Sequence, residues 1–364
     1  MHPPVTQLEM PPSSSLQMTP FCRRLGLTAP IVQAPVGSAA TPELAAAVSN
    51  AGGLGMLALT WTPPASVRER IRAARALTDR AFGVNLVLEW DQHARVRACV
   101  EESVAVVSTF WGDPGPYVDP IHAGGALHVH TVGSAEEARR AVEAGVDVIV
   151  AQGWEAGGRV WGQVATLPLL PAVVDAVRPV PVLAAGGVAD GRGLAAVLVL
   201  GADAAWVGTR FLLAREASVH DEWRRRIRDA SETSTWYGTV FDRGWPGAPH
   251  RTLRNSTLEA WERAGRPAAP GRPGEGDVVA YAPDGACLYR YGPDPPLAGA
   301  TGDVEGLAMY AGQSAGIVEQ VRPAGAIVDE LVSGAADALT GTIRRAPDPS
   351  SPLGQKARAC DPLA

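Results

Sequence analysis

Short apolar runs alternate with helical patterns along most of the chain. From residue 31 a run of Val, Ile, Leu or Ala ends in Gly, Asn, Gln or Ser. A segment with apolar positions three and four apart then follows. The runs predict eight strands, at residues 31–36, 55–59, 82–88, 104–108, 126–130, 146–151, 180–184 and 204–207. Helices are predicted over 42–50, 65–77, 93–101, 134–144, 169–177 and 191–200. Thr41-Pro42-Glu43 sets a capping residue before a proline in the first turn. Ser134-Ala-Glu-Glu137 has the form of a capping box, and Gly145 and Gly201 stand where helices end.

Eight consecutive strand–helix units predict an α/β protein of the (β/α)8 TIM-barrel class. A doubly wound sheet would carry a G-x-G-x-x-G turn after its first strand. The first turn here, Ala34-Pro35-Val36-Gly37-Ser38, does not. After Phe211 the alternation stops. Residues 221–300 hold Trp223, Trp236, Trp245 and Trp261 among many Arg, Pro and Gly. They predict a smaller subdomain inserted after the eighth strand and lying over the C-terminal face as a substrate lid. The barrel then comprises 21–220 and 301–345, with a returning segment at 309–317 and a last helix over 324–339. Residues 1–20 and 346–364, rich in Pro and polar residues, read as a flexible leader and tail.

Composition narrows the function. With 46% hydrophobic residues the 364-residue chain reads as globular despite 40 Gly and 31 Pro. A net charge of −6 gives no basic footprint for nucleic acid, and no apolar run is long enough to span a bilayer. Cys22, Cys99, Cys287 and Cys360 lack metal-ligand spacing, and no signal peptide precedes them. The expectation is a reduced cytoplasmic protein without a metal, acting on a small molecule.

In a barrel, chemistry sits at the C-terminal strand ends. Those ends read Gln33-Ala34-Pro35, Asn85, Ser108, His130, Gln152-Gly153, Ala185-Gly186-Gly187 and Gly208-Thr209. Small and amide residues suit a flat, hydrogen-bonding cofactor better than glycosidic or metal chemistry. Gly157-Gly158, Gly186-Gly187 and Gly208-Thr209 could together cradle a phosphate with backbone N–H groups, or each pair could simply make a tight turn.

These stretches resemble the nitronate monooxygenase (2-nitropropane dioxygenase) family. The resemblance rests on Gln33-Ala-Pro-Val-Gly37, Ala51-Gly-Gly-Leu-Gly55, Phe82-Gly-Val-Asn85, Ala151-Gln-Gly-Trp-Glu-Ala-Gly-Gly158, Ala185-Gly-Gly-Val188, Gly201-Ala-Asp203 with Val207-Gly-Thr-Arg-Phe211, and Tyr310-Ala-Gly-Gln-Ser-Ala-Gly316. The glycine motif is shared with the flavin-dependent enoyl-acyl-carrier-protein reductases. The resemblance implies non-covalent FMN, with Asn85 and Gln152 at the ring or ribityl chain and Gln33, Ala34 and Pro35 also binding the cofactor. Gly157, Gly158, Gly186, Gly187, Gly208 and Thr209 would surround the phosphate, and Gln313 and Ser314 would close the site. The implied reaction is oxidation of a nitronate with O2.

One position departs. Where both families carry a histidine after Ala-Gly-Gly, this chain has Arg159. A guanidinium only donates and cannot act as a general base. Arg159 could bind a substrate that is already anionic. Alternatively His130, on a strand face shared with His128, could supply the base. In the third reading the family reaction is lost, leaving an NAD(P)H-dependent enoyl reductase-like enzyme or a flavin-binding protein without turnover. Nearby, Glu155 reads as a structural residue of the turn. Trp154 and Trp161 read as pocket wall or packing, and Trp111-Gly-Asp-Pro114 as rim.

Overall fold

The computed structural model describes residue 16 and residues 18–344. Residues 1–15, residue 17 and residues 345–364, which include the predicted tail, lie outside the described residues. Within the leader, Leu16 is buried in the main core, and the Thr19 side chain caps the helix Pro20–Leu25.

Eight parallel strands close into a barrel. They are β1 (Ile31–Gln33), β2 (Gly55–Ala58), β3 (Phe82–Val87), β4 (Val106–Phe110), β5 (Leu127–Val132), β6 (Val148–Gln152), β8 (Val182–Ala185) and β9 (Ala204–Val207). A two-residue strand, β7 (Gly158–Arg159), stands outside the barrel. The strands pair in the order β1-β9-β8-β6-β5-β4-β3-β2. The last seam, β1 to β2, is closed by a parallel bridge between Val32 and Leu54. There the Gln33 N–H donates to the Leu54 carbonyl at 2.9 Å, and Gln33 Oε1 accepts from the Met56 N–H at 3.0 Å. The predicted (β/α)8 barrel is therefore the fold.

Alternate residues fill the interior, as a two-residue side-chain period demands. Val32, Met56, Val106, Leu127, Val129, Val148, Val150 and Leu183 share one inner cluster. Gly83 makes room for Met56, because a Cβ there would meet its Sδ at 2.5 Å. The other strand face packs on the surrounding helices.

The helix signals act as read. Thr41 caps Pro42–Asn50 by accepting from the Leu44 N–H. Ser134 caps Ala135–Glu143, and Glu137 reaches back to the Gly133 N–H at 2.7 Å. Gly145 and Gly201 end helices with φ near +100°.

After β9 come the helix Asp221–Arg228 and two small sheets. In one, β10 (Thr235–Gly238) pairs with β11 (His250–Leu253), which pairs with β7. In the other, β12 (Val278–Tyr281) lies between β13 (Cys287–Tyr289) and β14 (Thr301–Gly302). The β7–β11 ladder matches Arg159 with His250 and Gly158 with Arg251, joining this region to the glycine turn after β6. The helix Ala324–Arg344 then packs on Gly191–Val199. Gly191 permits this contact, since a Cβ would lie 2.2 Å from the Gly334 carbonyl carbon.

Candidate active site

A cavity of about 660 Å³ opens at the C-terminal ends of the strands. Its lower wall carries inward-facing residues from the barrel: Ala34, Asn85, Phe110, Thr131, Gln152 and Trp206. Asn85 is buried and its Nδ2 donates to Ser108 Oγ at 2.7 Å, which fixes the amide. Gln152 donates from Nε2 to the Arg159 carbonyl at 3.2 Å, leaving its Oε1 as an acceptor.

One side of the cavity is backbone. Gly157, Gly158, Gly186, Gly187, Gly208 and Thr209 all line it. Gly158, Gly186 and Gly187 have φ between +75° and +101°, a region costly for residues with a Cβ. A Cβ on Gly157 would stand 2.5 Å from backbone atoms of Ala311 and Gly312. That contact brings in the returning segment, where the Gly312 N–H donates to Thr209 Oγ1 at 2.9 Å. The Gln313 N–H donates to the Glu155 carbonyl at 3.0 Å. Among the described residues, the N–H groups of Gly187 and Gly208 donate to no protein acceptor. Free donors beside a small-residue wall suit an anionic group such as phosphate.

The opposite side is aromatic. Trp61, Trp90, Phe110, Trp245 and Tyr310 line it. The Tyr310 hydroxyl donates to the Pro293 carbonyl at 2.9 Å, and burial pushes its pKa up.

Arg159 sits between the two sides. Its Nη1 donates to the Ala248 carbonyl at 2.8 Å and its Nη2 to the Phe241 carbonyl at 3.1 Å. The guanidinium carbon lies 4.8 Å from the centre of the Trp245 ring. Behind it, His250 is fully buried. The Phe241 N–H donates to Nε2 at 3.2 Å, so Nδ1 carries the ring proton and donates to Ala248 at 3.0 Å. Desolvation, then the nearby Arg159 charge, pushes the His250 pKa down to about 3. The imidazole is thus neutral and occupied at both nitrogens.

A family model described as nitronate monooxygenase matches residues 20–95 and 89–334. The chain belongs to the nitronate monooxygenase family. A nitronate monooxygenase of Pseudomonas aeruginosa is 33% identical, over 86% of this chain and 97% of that protein. The (3aS,4S,5R,7aS)-5-hydroxy-7a-methyl-1-oxo-octahydro-1H-indene-4-carboxyl-CoA dehydrogenase of Mycobacterium tuberculosis is 38% identical, over 68% of this chain and 69% of that protein. Among solved structures, FabK from Thermotoga maritima superposes with a TM-score of 0.75 at 30% identity, over 90% of this chain and 99% of that one. A nitroalkane oxidase from Streptomyces ansochromogenes gives 0.70 at 28% identity, over 86% and 97%. As a nitronate monooxygenase family member the protein is an oxidoreductase.

Most residues singled out from the sequence of this nitronate monooxygenase family member meet at one cavity. Ala34, Pro35, Asn85, Gln152, Gly157, Gly158, Arg159, Gly186, Gly187, Gly208, Thr209 and Ser314 line it. Three do not. Gln33 is spent on the β1–β2 seam, where its Nε2 also donates to the Ala34 carbonyl. Gln313 contributes its backbone to the Glu155 carbonyl and does not line the wall. His130 faces the helices. Strand β5 runs on to Val132 instead of ending at residue 130, and Thr131 takes the cavity position. His130 Nδ1 and His128 Nε2 each lie 2.8 Å from Thr109 Oγ1, and burial pushes the two pKa values down to about 4 and about 3. The β4 end moves likewise, so that Phe110 and not Ser108 reaches the wall.

Glu155 is structural. Its carboxylate accepts from the Thr166 N–H at 3.1 Å, at the start of the helix Thr166–Val177. Trp154 packs against the Arg251 guanidinium, and neither it nor Trp161 lines the cavity. Sequence reasoning missed Trp61, Trp90, Tyr310 and Trp245 as wall residues. The signal for Trp61, Trp90 and Trp245 was aromatics placed shortly after strand ends or inside the insertion, and for Tyr310 its place at the head of the returning motif.

Proposed function

We propose that this protein is an FMN-dependent oxidoreductase that takes its substrate already ionised, as a nitronate or comparable carbanion, with O2 as electron acceptor. The observation that carries this reading is the make-up of the wall: among the described residues no histidine lines the cavity, and Arg159 lies where the resemblance leads one to expect the base. The other titratable wall groups are Arg243, Asp294 and Tyr310, with Asp294 at the exposed rim between two prolines.

The residues present fit FMN. The glycine side leaves space a Cβ would fill, and the free N–H groups of Gly187 and Gly208 suit its phosphate. Asn85 and Gln152 offer amides to the ring edge, with Ala34 and Pro35 beside them and Ser314 closing the cavity. Bound FMN supplies the electron-transfer chemistry.

The chain's own part is to bind, orient and keep water out. Arg159 acts by charge. Two of its five N–H donors are committed to the Ala248 and Phe241 carbonyls, which hold the guanidinium at the cavity wall. Its fixed positive charge favours an anion in the cavity over a neutral molecule.

The test is anaerobic mixing of the FMN-loaded protein. Ethyl nitronate is expected to bleach the flavin absorbance, and neutral nitroethane to do so at least 100-fold more slowly. Equal rates would overturn the reading. A second reading, a dehydrogenase or reductase, is favoured by the named CoA-thioester dehydrogenase among the relatives. Bleaching by NAD(P)H and not by the nitronate would establish the reductase form. Bleaching by neither would leave a flavin-binding protein without turnover.

A further inference from the structure

Five tryptophans form one continuous row along the outer cavity. Trp61 meets Trp90 with ring centres 5.7 Å apart, Trp90 meets Trp245 at 5.0 Å, Trp245 meets Trp111 at 4.8 Å, and Trp111 meets Trp161 at 4.8 Å. All four contacts are edge-on, with interplanar angles of 65° to 77°. The row is assembled from distant parts of the chain: the loops after β2 and β3, the end of β4, the segment after β7, and the loop before β11. Ordinary packing accounts for Trp111 and Trp161, which back the wall without lining it. It does not account for Trp61, which lines the cavity yet is 59% exposed. A large ring left in water at a cavity mouth gains little from folding and much from a ligand.

We propose that Trp61, Trp90 and Trp245, backed by the rest of the row, are a binding wall for a flat, apolar skeleton of two or more fused rings, with the ionised group of the same molecule turned toward Arg159. The inference rests on the reading that the substrate enters as an anion. The same cavity has to take FMN along its glycine side, and the tryptophans border the part nearer its mouth, where Trp61 is exposed. The edge-on rings leave ring surface facing the space, and edge-to-face contacts with a fused-ring ligand are favourable there. Arg159 stacks on Trp245, so the cation and the aromatic wall meet at one point. A ligand with an apolar body and one anionic end satisfies both.

The experiment is isothermal titration of the FMN-loaded protein with 2-naphthoate and with propionate. 2-Naphthoate is expected to bind at least ten-fold more tightly, from the added ring area. Trp61→Ala is expected to weaken 2-naphthoate about five-fold and leave propionate unchanged, and Trp61→Phe to retain most of the affinity. Because Trp61 is exposed, these variants should melt within a few degrees of the parent, which the same samples can show. Equal binding of the two acids, no binding of 2-naphthoate, or a Trp61→Ala variant with unchanged 2-naphthoate affinity would each overturn the proposal. Failure of the ionised-substrate reading shows separately, as absence of flavin bleaching by ethyl nitronate.

Discussion

The Arg159 guanidinium and the His250 imidazole both donate to one acceptor, the carbonyl oxygen of Ala248, at 2.8 and 3.0 Å. The two residues are also register partners in the β7–β11 ladder. A residue from the glycine turn and one from the insertion thereby hold the segment that carries Trp245 over the cavity.

Arg159 should consequently contribute to stability as well as to the charge of the site. Arg159→Ala strands the Phe241 carbonyl and leaves the Ala248 carbonyl only its bond from His250, and is expected to cost about 2 kcal/mol, since hydrogen bonds to charged groups are worth more than neutral ones. Arg159→Lys should recover less than half of that, because one ammonium cannot span the Ala248 and Phe241 oxygens. Urea denaturation of the three proteins checks the ranking; a lysine variant as stable as the parent would contradict it.

The buried histidines give stability a defined pH dependence. The folded pKa of His250 is about 3, below its ordinary 6.5. Between these values the unfolded chain binds a proton that the folded protein does not, so stability rises with pH. This contribution is complete above about pH 6.5 and is lost as pH falls toward 3. His128 and His130, pushed down to about 3 and about 4, act in the same direction. The urea midpoint should drop between pH 7.5 and pH 5, and His250→Asn should flatten that slope. An unchanged slope in the variant would remove His250 from the account.

Neighbouring glycines should behave differently. Gly157→Ala drives a methyl group into the backbone of Ala311 and Gly312, which cannot step aside without moving the returning segment. FMN affinity is expected to fall at least ten-fold. Gly158→Ala meets no atom within 4 Å, but the residue has φ +77°. Its cost is backbone strain of about 1–2 kcal/mol, with FMN affinity within about three-fold of the parent. Quenching of FMN fluorescence on binding measures the affinities, and denaturation measures the strain.

The barrel was legible because its strands are short apolar runs with helices of strong amphipathic pattern between them. Caps such as Thr41 and Ser134 and stops such as Gly145 and Gly201 are local devices, and they act where the sequence places them. The glycine side of the cavity was legible for a related reason. A turn that needs positive φ or a backbone contact admits little besides glycine. Strand ends were harder. Apolar periodicity stops at polar residues, yet β4 and β5 carry polar residues within the ladder: Ser108, Thr109, His128 and His130 pair with neighbouring strands. Moving one end past His130 exchanged a histidine for Thr131 at the cavity, since adjacent residues face opposite sides.

By itself the sequence determined the eight-fold alternation, the glycine turns that leave room for a flat anionic cofactor, and the presence of arginine at position 159. Each depends on residues close together in the chain, whose conformational preferences act locally. Tertiary structure alone decided that the guanidinium would be held by Phe241 and Ala248, that His250 would stand behind it, and that five tryptophans from distant segments would join into one row. Those outcomes depend on contacts across tens of residues, and folding of the insertion onto the barrel settles which partners meet.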